Sequence, residues 1–76
     1  MKKYLDKSGN SGIELYEAGV DFIKIKFKDN ASVYFYTYEL NGSQNIEKMK
    51  ALAISGIGLA TYISKHPEIR DRFDMK

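Results

Sequence analysis

The chain of 76 residues has no cysteine and no tryptophan, and it has only one proline and one histidine. Without cysteine, a disulfide framework and a thiolate-bound metal are both excluded. The single histidine, His66, stands before Pro67 and cannot supply most of a zinc site, so we expect it at the end of a helix. We therefore expect no metal site in this protein.

Long hydrophobic runs are also missing. No window approaches the ~20 apolar residues that a helix needs to span a bilayer, so we expect no membrane partner. The opening residues, MKKYLDKSGNSG, have the basic start of a signal peptide but not its apolar run, which predicts a cytoplasmic protein. The net charge of +2 is too small to indicate a nucleic-acid partner by itself.

Catalytic motifs are absent as well. Gly56 and Gly58 lack the third glycine and the preceding strand of a dinucleotide fingerprint, and no phosphate-loop lysine follows them. The acidic residues are scattered, and no spaced pair lies within apolar sequence where it could act in acid–base catalysis. We therefore expect a protein that is not an enzyme, with no catalytic residues and no small-molecule cofactor.

Alternation of apolar and polar residues predicts three strands. Residues 1–10 are polar and rich in glycine, serine and asparagine toward their end, which predicts a mobile N-terminal arm before a single domain over residues 11–76. The segments SGIELYEA, FIKIKFK and SVYFYTY then have the period-2 or β-branched and aromatic composition of short strands. Their close spacing predicts an antiparallel meander.

A helical period follows from about residue 44, carried by Ile46, Met49, Leu52, Ala53, Gly56, Ile57, Ala60 and Ile63. Ser43 and Asn41 are candidate N-caps. Pro67 predicts an end near His66 and can begin a further helical turn, while the final RDRFDMK is expected to be a solvated end. At Ser55–Gly58 we favour close packing or a kink over a full break. The predicted fold is α+β, a three-stranded antiparallel β-meander followed by a C-terminal helical segment packed on one face.

The length of the second hairpin loop decides which way the tyrosines of SVYFYTYEL point, because opposed residues share a face of the sheet. An odd loop pairs Phe27 with Val33 and Ile25 with Phe35, which places the tyrosines with the lysines. An even loop places the tyrosines with the isoleucines. We favour the odd loop, because it gives one face that is apolar or nearly so. An odd first loop, residues 18–20, would also place Glu14 opposite Lys24.

On that interpretation the outer face combines aromatic rings with ammonium groups, as nucleic-acid platforms do. We expect a small binding module that binds RNA through six candidate residues: Lys24, Lys26, Lys28, Tyr34, Tyr36 and Tyr38. Two alternatives stay open. The aromatic face could form a homodimer contact, or its Lys/Tyr pairs could only stabilise the sheet.

Several short motifs resemble the KTSC domain, which occurs at the C-terminus of some lysyl-tRNA synthetases and as stand-alone bacterial proteins. Ile23–Phe27 resembles its L-x-V-x-F strand, and Tyr16 lies eleven residues before Phe27, as a tyrosine often does in that family. Tyr34-Phe35-Tyr36 resembles its central Y-x-Y motif, and the helical part is similar at Ala53, Ser55, Gly56 and Ile63. The resemblance implies an RNA-associated module and implies no catalytic residues.

Overall fold

A five-stranded antiparallel sheet forms one layer of the structure, a computed structural model that describes residues 1–75. The strands follow each other in chain order across the sheet. They are β1 (Lys2–Lys3), β2 (Ile13–Ala18), β3 (Phe22–Phe27), β4 (Val33–Thr37) and β5 (Asp74–Met75). The α+β class is confirmed, and the three predicted strands are the long central ones. The two additional strands have only two residues each and lie at the edges.

Four helices form the other layer: α1 (Tyr38–Asn41), α2 (Ser43–Ser55), α3 (Leu59–Ser64) and α4 (Pro67–Arg70). Pro67 stands in the first turn of α4, as predicted. The predicted caps are wrong. Gly42 precedes α2 without a side-chain hydrogen bond, and Thr37 caps α1 by accepting from the Leu40 amide at 3.1 Å.

The expected close-packed or kinked helix is wrong, because the chain breaks fully between α2 and α3. Gly56 and Gly58 both adopt left-handed backbone conformations, with φ of 80° and 89°. A side chain is disfavoured at such φ values, so glycine permits this turn. Gly56 is also in close contact with the N-terminal segment. A Cβ added there would lie 2.7 Å from the Cβ of Leu5, and the Lys7 amide donates to the Gly56 carbonyl at 2.7 Å.

The first residues are therefore part of the folded domain rather than an arm outside it. Lys2 and Lys3 pair with Tyr16 and Leu15 of β2. Tyr4 is only 2% exposed, and its hydroxyl lies 3.5 Å from the Leu59 amide at the start of α3. The boundary that the sequence placed at residue 11 is absent from the structure.

The C-terminal segment is also more ordered than a solvated end. The Phe73 ring lies 4.5 Å from the Tyr34 ring and 6.1 Å from the Tyr36 ring. Asp74 and Met75 pair with β4. The prediction of a solvated end is thus wrong for Phe73, whereas Asp74 and Met75 are exposed although they pair with β4, and Lys76 lies outside the described residues.

The core lies between the helices and one face of the sheet. Its sheet side contains Ile13, Tyr16, Ile23, Ile25 and Tyr36, and the helices contribute Ile46, Met49, Ala53, Leu59, Ile63 and Ile69. Among residues 1–75, no helix has the length and apolar character needed to cross a membrane. The helical layer leaves the second face of the sheet outside the core.

Candidate functional site

The register of β3 and β4 decides which side chains reach that second face. The pair nearest the turn is Lys26 with Val33, so six residues, 27–32, separate the paired positions. Six is an even number. Ile25 therefore lies opposite Tyr34, and Ile23 lies opposite Tyr36. The odd loop favoured by the sequence is wrong. Val33 and Phe35 share a face with the lysines, and the tyrosines share a face with the isoleucines.

Hydrogen bonds within the connection stabilise this register. The Asn30 amide donates to the Phe27 carbonyl at 3.3 Å. The Asn30 side chain accepts from the Ser32 amide at 2.9 Å and donates to the Tyr34 hydroxyl at 2.8 Å. The Tyr34 ring also packs edge-on against Phe27, with centroids 5.4 Å apart. Asn30 therefore orders the longer loop and binds the tyrosine that this loop turns inward.

The first hairpin also departs from the expected odd loop. Ala18 pairs with Ile23, and the Gly19 amide donates to the Phe22 carbonyl at 2.9 Å across the turn. An irregularity between Ile13 and Leu15 keeps both Ile13 and Tyr16 in the core. The register at the turn also places Lys24 opposite Glu17 rather than opposite Glu14.

The six candidate residues do not come together. Tyr36 is 2% exposed, and burial raises its pKa to about 12. Tyr34 packs against the core, and Tyr38 begins α1, where its hydroxyl donates to Glu47. Lys28 extends toward Asp6, with Nζ 3.3 Å from its carboxylate. Of the six, only Lys24 and Lys26 share the second face of the sheet.

We call this second face the open face. It carries four apolar side chains and three lysines, with threonine and carboxylates among them: Lys3, Leu15, Glu17, Phe22, Lys24, Lys26, Val33, Phe35, Thr37 and Asp74. Within residues 1–75, none of these side chains belongs to the core or packs against it. The four apolar side chains are half-buried. The period-2 alternation of the strands would have predicted which side chains share this face if the β3–β4 loop had been known to be even.

Two phenylalanines form the aromatic centre of the open face. The rings of Phe22 and Phe35 are stacked, with centroids 6.3 Å apart and planes 30° apart. The Lys24 ammonium lies 5.5 Å from the Phe22 centroid and 4.8 Å from the Phe35 centroid, within cation–π range. The odd loop favoured by the sequence placed Phe35 on the face of Ile25 instead.

Carboxylates lie close to both central lysines. Lys24 Nζ is 3.5 Å from Glu17, and Lys26 Nζ donates to Glu14 at 2.6 Å. The hydrogen bond from Lys26 holds the pKa of Glu14 below its ordinary value. The open face thus has three lysines together with Glu17 and Asp74, and Glu14 and the Met1 ammonium lie at its edge, so it carries charges of both signs. Such a surface is suited to apolar contact with a partner that offers both signs of charge.

Comparison with family models, with curated proteins and with solved structures finds no match to this chain. The KTSC resemblance therefore stays a prediction.

Proposed function

We propose that the chain is a small non-enzymatic interaction module that acts through its open face, and that the partner is a second copy of itself. The observation that carries this proposal is a half-buried apolar group, Leu15, Phe22, Val33 and Phe35, lying outside the core and interleaved with lysines and carboxylates. Aromatic residues are enriched where protein surfaces meet, and the Phe22–Phe35 pair supplies them here.

The charge pattern favours a second copy over a strongly charged partner. In a twofold dimer the same surface contributes both sides of the interface. A face with lysines on β3 and carboxylates on β2 can then set the lysines of one copy against the carboxylates of the other. A purely basic or acidic face would repel its copy.

The size of the open face determines how strong a self-association we expect. Two strands of six residues and one of five present ~300 Å² of flat area per copy, from the strand spacing and the rise per residue. Two such faces bury less than the ~1,200–2,000 Å² of most specific interfaces. The self-association is therefore weak and depends on concentration.

Sedimentation of a Leu15→Glu variant tests the proposal. Leu15 lies opposite Lys3 and Lys26, so a glutamate there is electrostatically tolerated by the fold but introduces a charge into the proposed interface. We expect the average mass of the wild type to rise with protein concentration and that of Leu15→Glu to remain monomeric. Val20→Glu is the matched control, since Val20 is 87% exposed in the first hairpin turn, and it should behave as the wild type. A wild-type monomer up to about millimolar concentration contradicts the proposal.

Single-stranded RNA is the second candidate partner. The stacked phenylalanines with Lys24 beside both rings are the kind of aromatic and cationic group on which bases stack. Glu14 and Glu17 oppose this role, because they occupy the lysines that would meet phosphates. Fluorescence anisotropy with a labelled RNA oligonucleotide at low and high salt tests it, and a Glu14→Gln/Glu17→Gln variant should bind more tightly. Binding that is absent or indifferent to salt contradicts this candidate.

A further inference from the structure

A groove of about 390 Å³ lies away from the open face, beside α3. Residues 10 and 11 line the groove, and Phe27, Ala60 and Ile63 give it an apolar wall. Thr61, Ser64 and Arg70 provide hydroxyl groups and one guanidinium. No residue of this lining belongs to the open face, so the groove is a separate feature of the molecule.

The size and lining of the groove fit a small organic ligand. Ligand sites in proteins typically occupy ~300–1,000 Å³ and combine apolar walls with a few polar groups that orient the ligand. Here Ile63 belongs to the core and is only 5% exposed, and Phe27 packs against that core. The wall is therefore held in place by packing behind it.

Among residues 1–75, Arg70 is the only charged residue that lines the groove. Its side chain bonds to Asp71, its neighbour in the chain, through Nε at 3.2 Å. A guanidinium has five N–H donors, so a bond through Nε leaves the terminal nitrogens able to donate to a ligand. Paired donors of this kind match the two oxygens of a carboxylate.

We propose that this groove binds a small organic carboxylate with an apolar body. The apolar body lies against Phe27, Ala60 and Ile63, and the carboxylate accepts hydrogen bonds from Arg70. Thr61 and Ser64 line the same groove and offer hydroxyl groups to the ligand. The positive charge of Arg70 favours an anion over a neutral molecule of the same shape.

Amide-resolved NMR titration with hexanoate tests the proposal, with hexanol as the uncharged control. We expect shifts at Ala60, Thr61 and Ser64, with a dissociation constant on the order of 1 mM for so small a ligand. Hexanol should bind at least about fivefold more weakly, because it lacks the charge that Arg70 recognises. An Arg70→Gln variant should weaken hexanoate binding by a similar factor.

Arg72→Gln is the matched control for charge, because Arg72 is exposed and does not line the groove. Its affinity for hexanoate should equal that of the wild type. Ala60→Leu should fill the groove and abolish the shifts, while its spectrum remains that of a folded protein. The proposal is overturned if hexanoate and hexanol bind equally, if Arg70→Gln binds as the wild type does, or if no shift appears at the groove. Repeating the titration on Leu15→Glu separates this result from self-association.

Discussion

Phe35 and Tyr36 are neighbours in the chain and lie on opposite faces of β4. Tyr36 packs in the core beside Phe73, while Phe35 lies on the open face beside Phe22. The positions of these two residues decide which face of the sheet is the core face, because a shift by one residue would move every side chain of the strand to the other face.

Alanine substitution at these two positions tests the alternation. Tyr36→Ala should lower the free energy of unfolding by about 3–5 kcal/mol, because it leaves a cavity in the core. Phe35→Ala should cost about 1 kcal/mol, since it removes only a half-buried ring and one stacking contact. Urea unfolding of both variants gives the comparison. A larger loss from Phe35→Ala than from Tyr36→Ala would contradict the observed register.

Because the pKa of the Tyr36 hydroxyl is raised, we expect the folded protein to lose stability in alkali. Its pKa rises from the ordinary 10.0 to about 12 in the folded protein. Between these pH values the unfolded chain releases the Tyr36 proton while the folded chain retains it, so rising pH favours unfolding. The stabilisation is complete below pH 10 and is lost as pH rises toward 12. Urea midpoints measured from neutral to alkaline pH should fall more steeply in the wild type than in Tyr36→Phe, and equal slopes would contradict this assignment.

At the scale of elements, the sequence predicted what depends on local periodicity. The alternation in Phe22–Phe27 predicts β3, and Pro67 predicts both the end of one helix and the start of α4. Hairpin register was mispredicted because it depends on one side chain, Asn30, whose hydrogen bonds order a six-residue connection. The edge strands were missed because two residues carry no readable period.

The break between α2 and α3 gives a prediction at this scale. Gly56→Ala and Gly58→Ala should both cost about 1 kcal/mol for a side chain at positive φ. Gly56→Ala should cost about 1–3 kcal/mol more, because its Cβ would overlap Leu5, whereas the nearest contact at Gly58 is an ordinary 3.5 Å to Leu52. Urea unfolding measures both losses.

A Leu5→Gly change placed in the Gly56→Ala background is the control for this overlap. It removes the Cβ that the new methyl group meets, so it should recover the additional loss. If Gly56→Ala and Gly58→Ala are equally destabilised, Leu5 of the N-terminal segment does not pack closely on Gly56.

At the scale of the whole molecule, the helices cover the Ile/Tyr face and leave the open face outside the core. The sequence correctly placed Lys24 and Lys26 on one face together, because they share the period of β3. It could not supply the pairing of charges on that face. The register of the first hairpin sets Glu17 opposite Lys24, and Glu14, at the irregularity, binds Lys26. The resulting mixed-charge surface favours a second copy over a nucleic acid.

Sedimentation of charge-reversed variants tests this claim most directly. Lys24→Glu/Lys26→Glu makes the open face acidic, and Glu14→Lys/Glu17→Lys makes it basic, so each variant should repel its own copy and remain monomeric. A one-to-one mixture should restore the dimer at the concentration where the wild type dimerises, and the dissociation should increase with salt. A mixture that sediments only as monomers, beside a dimeric wild type, would contradict self-association through the open face.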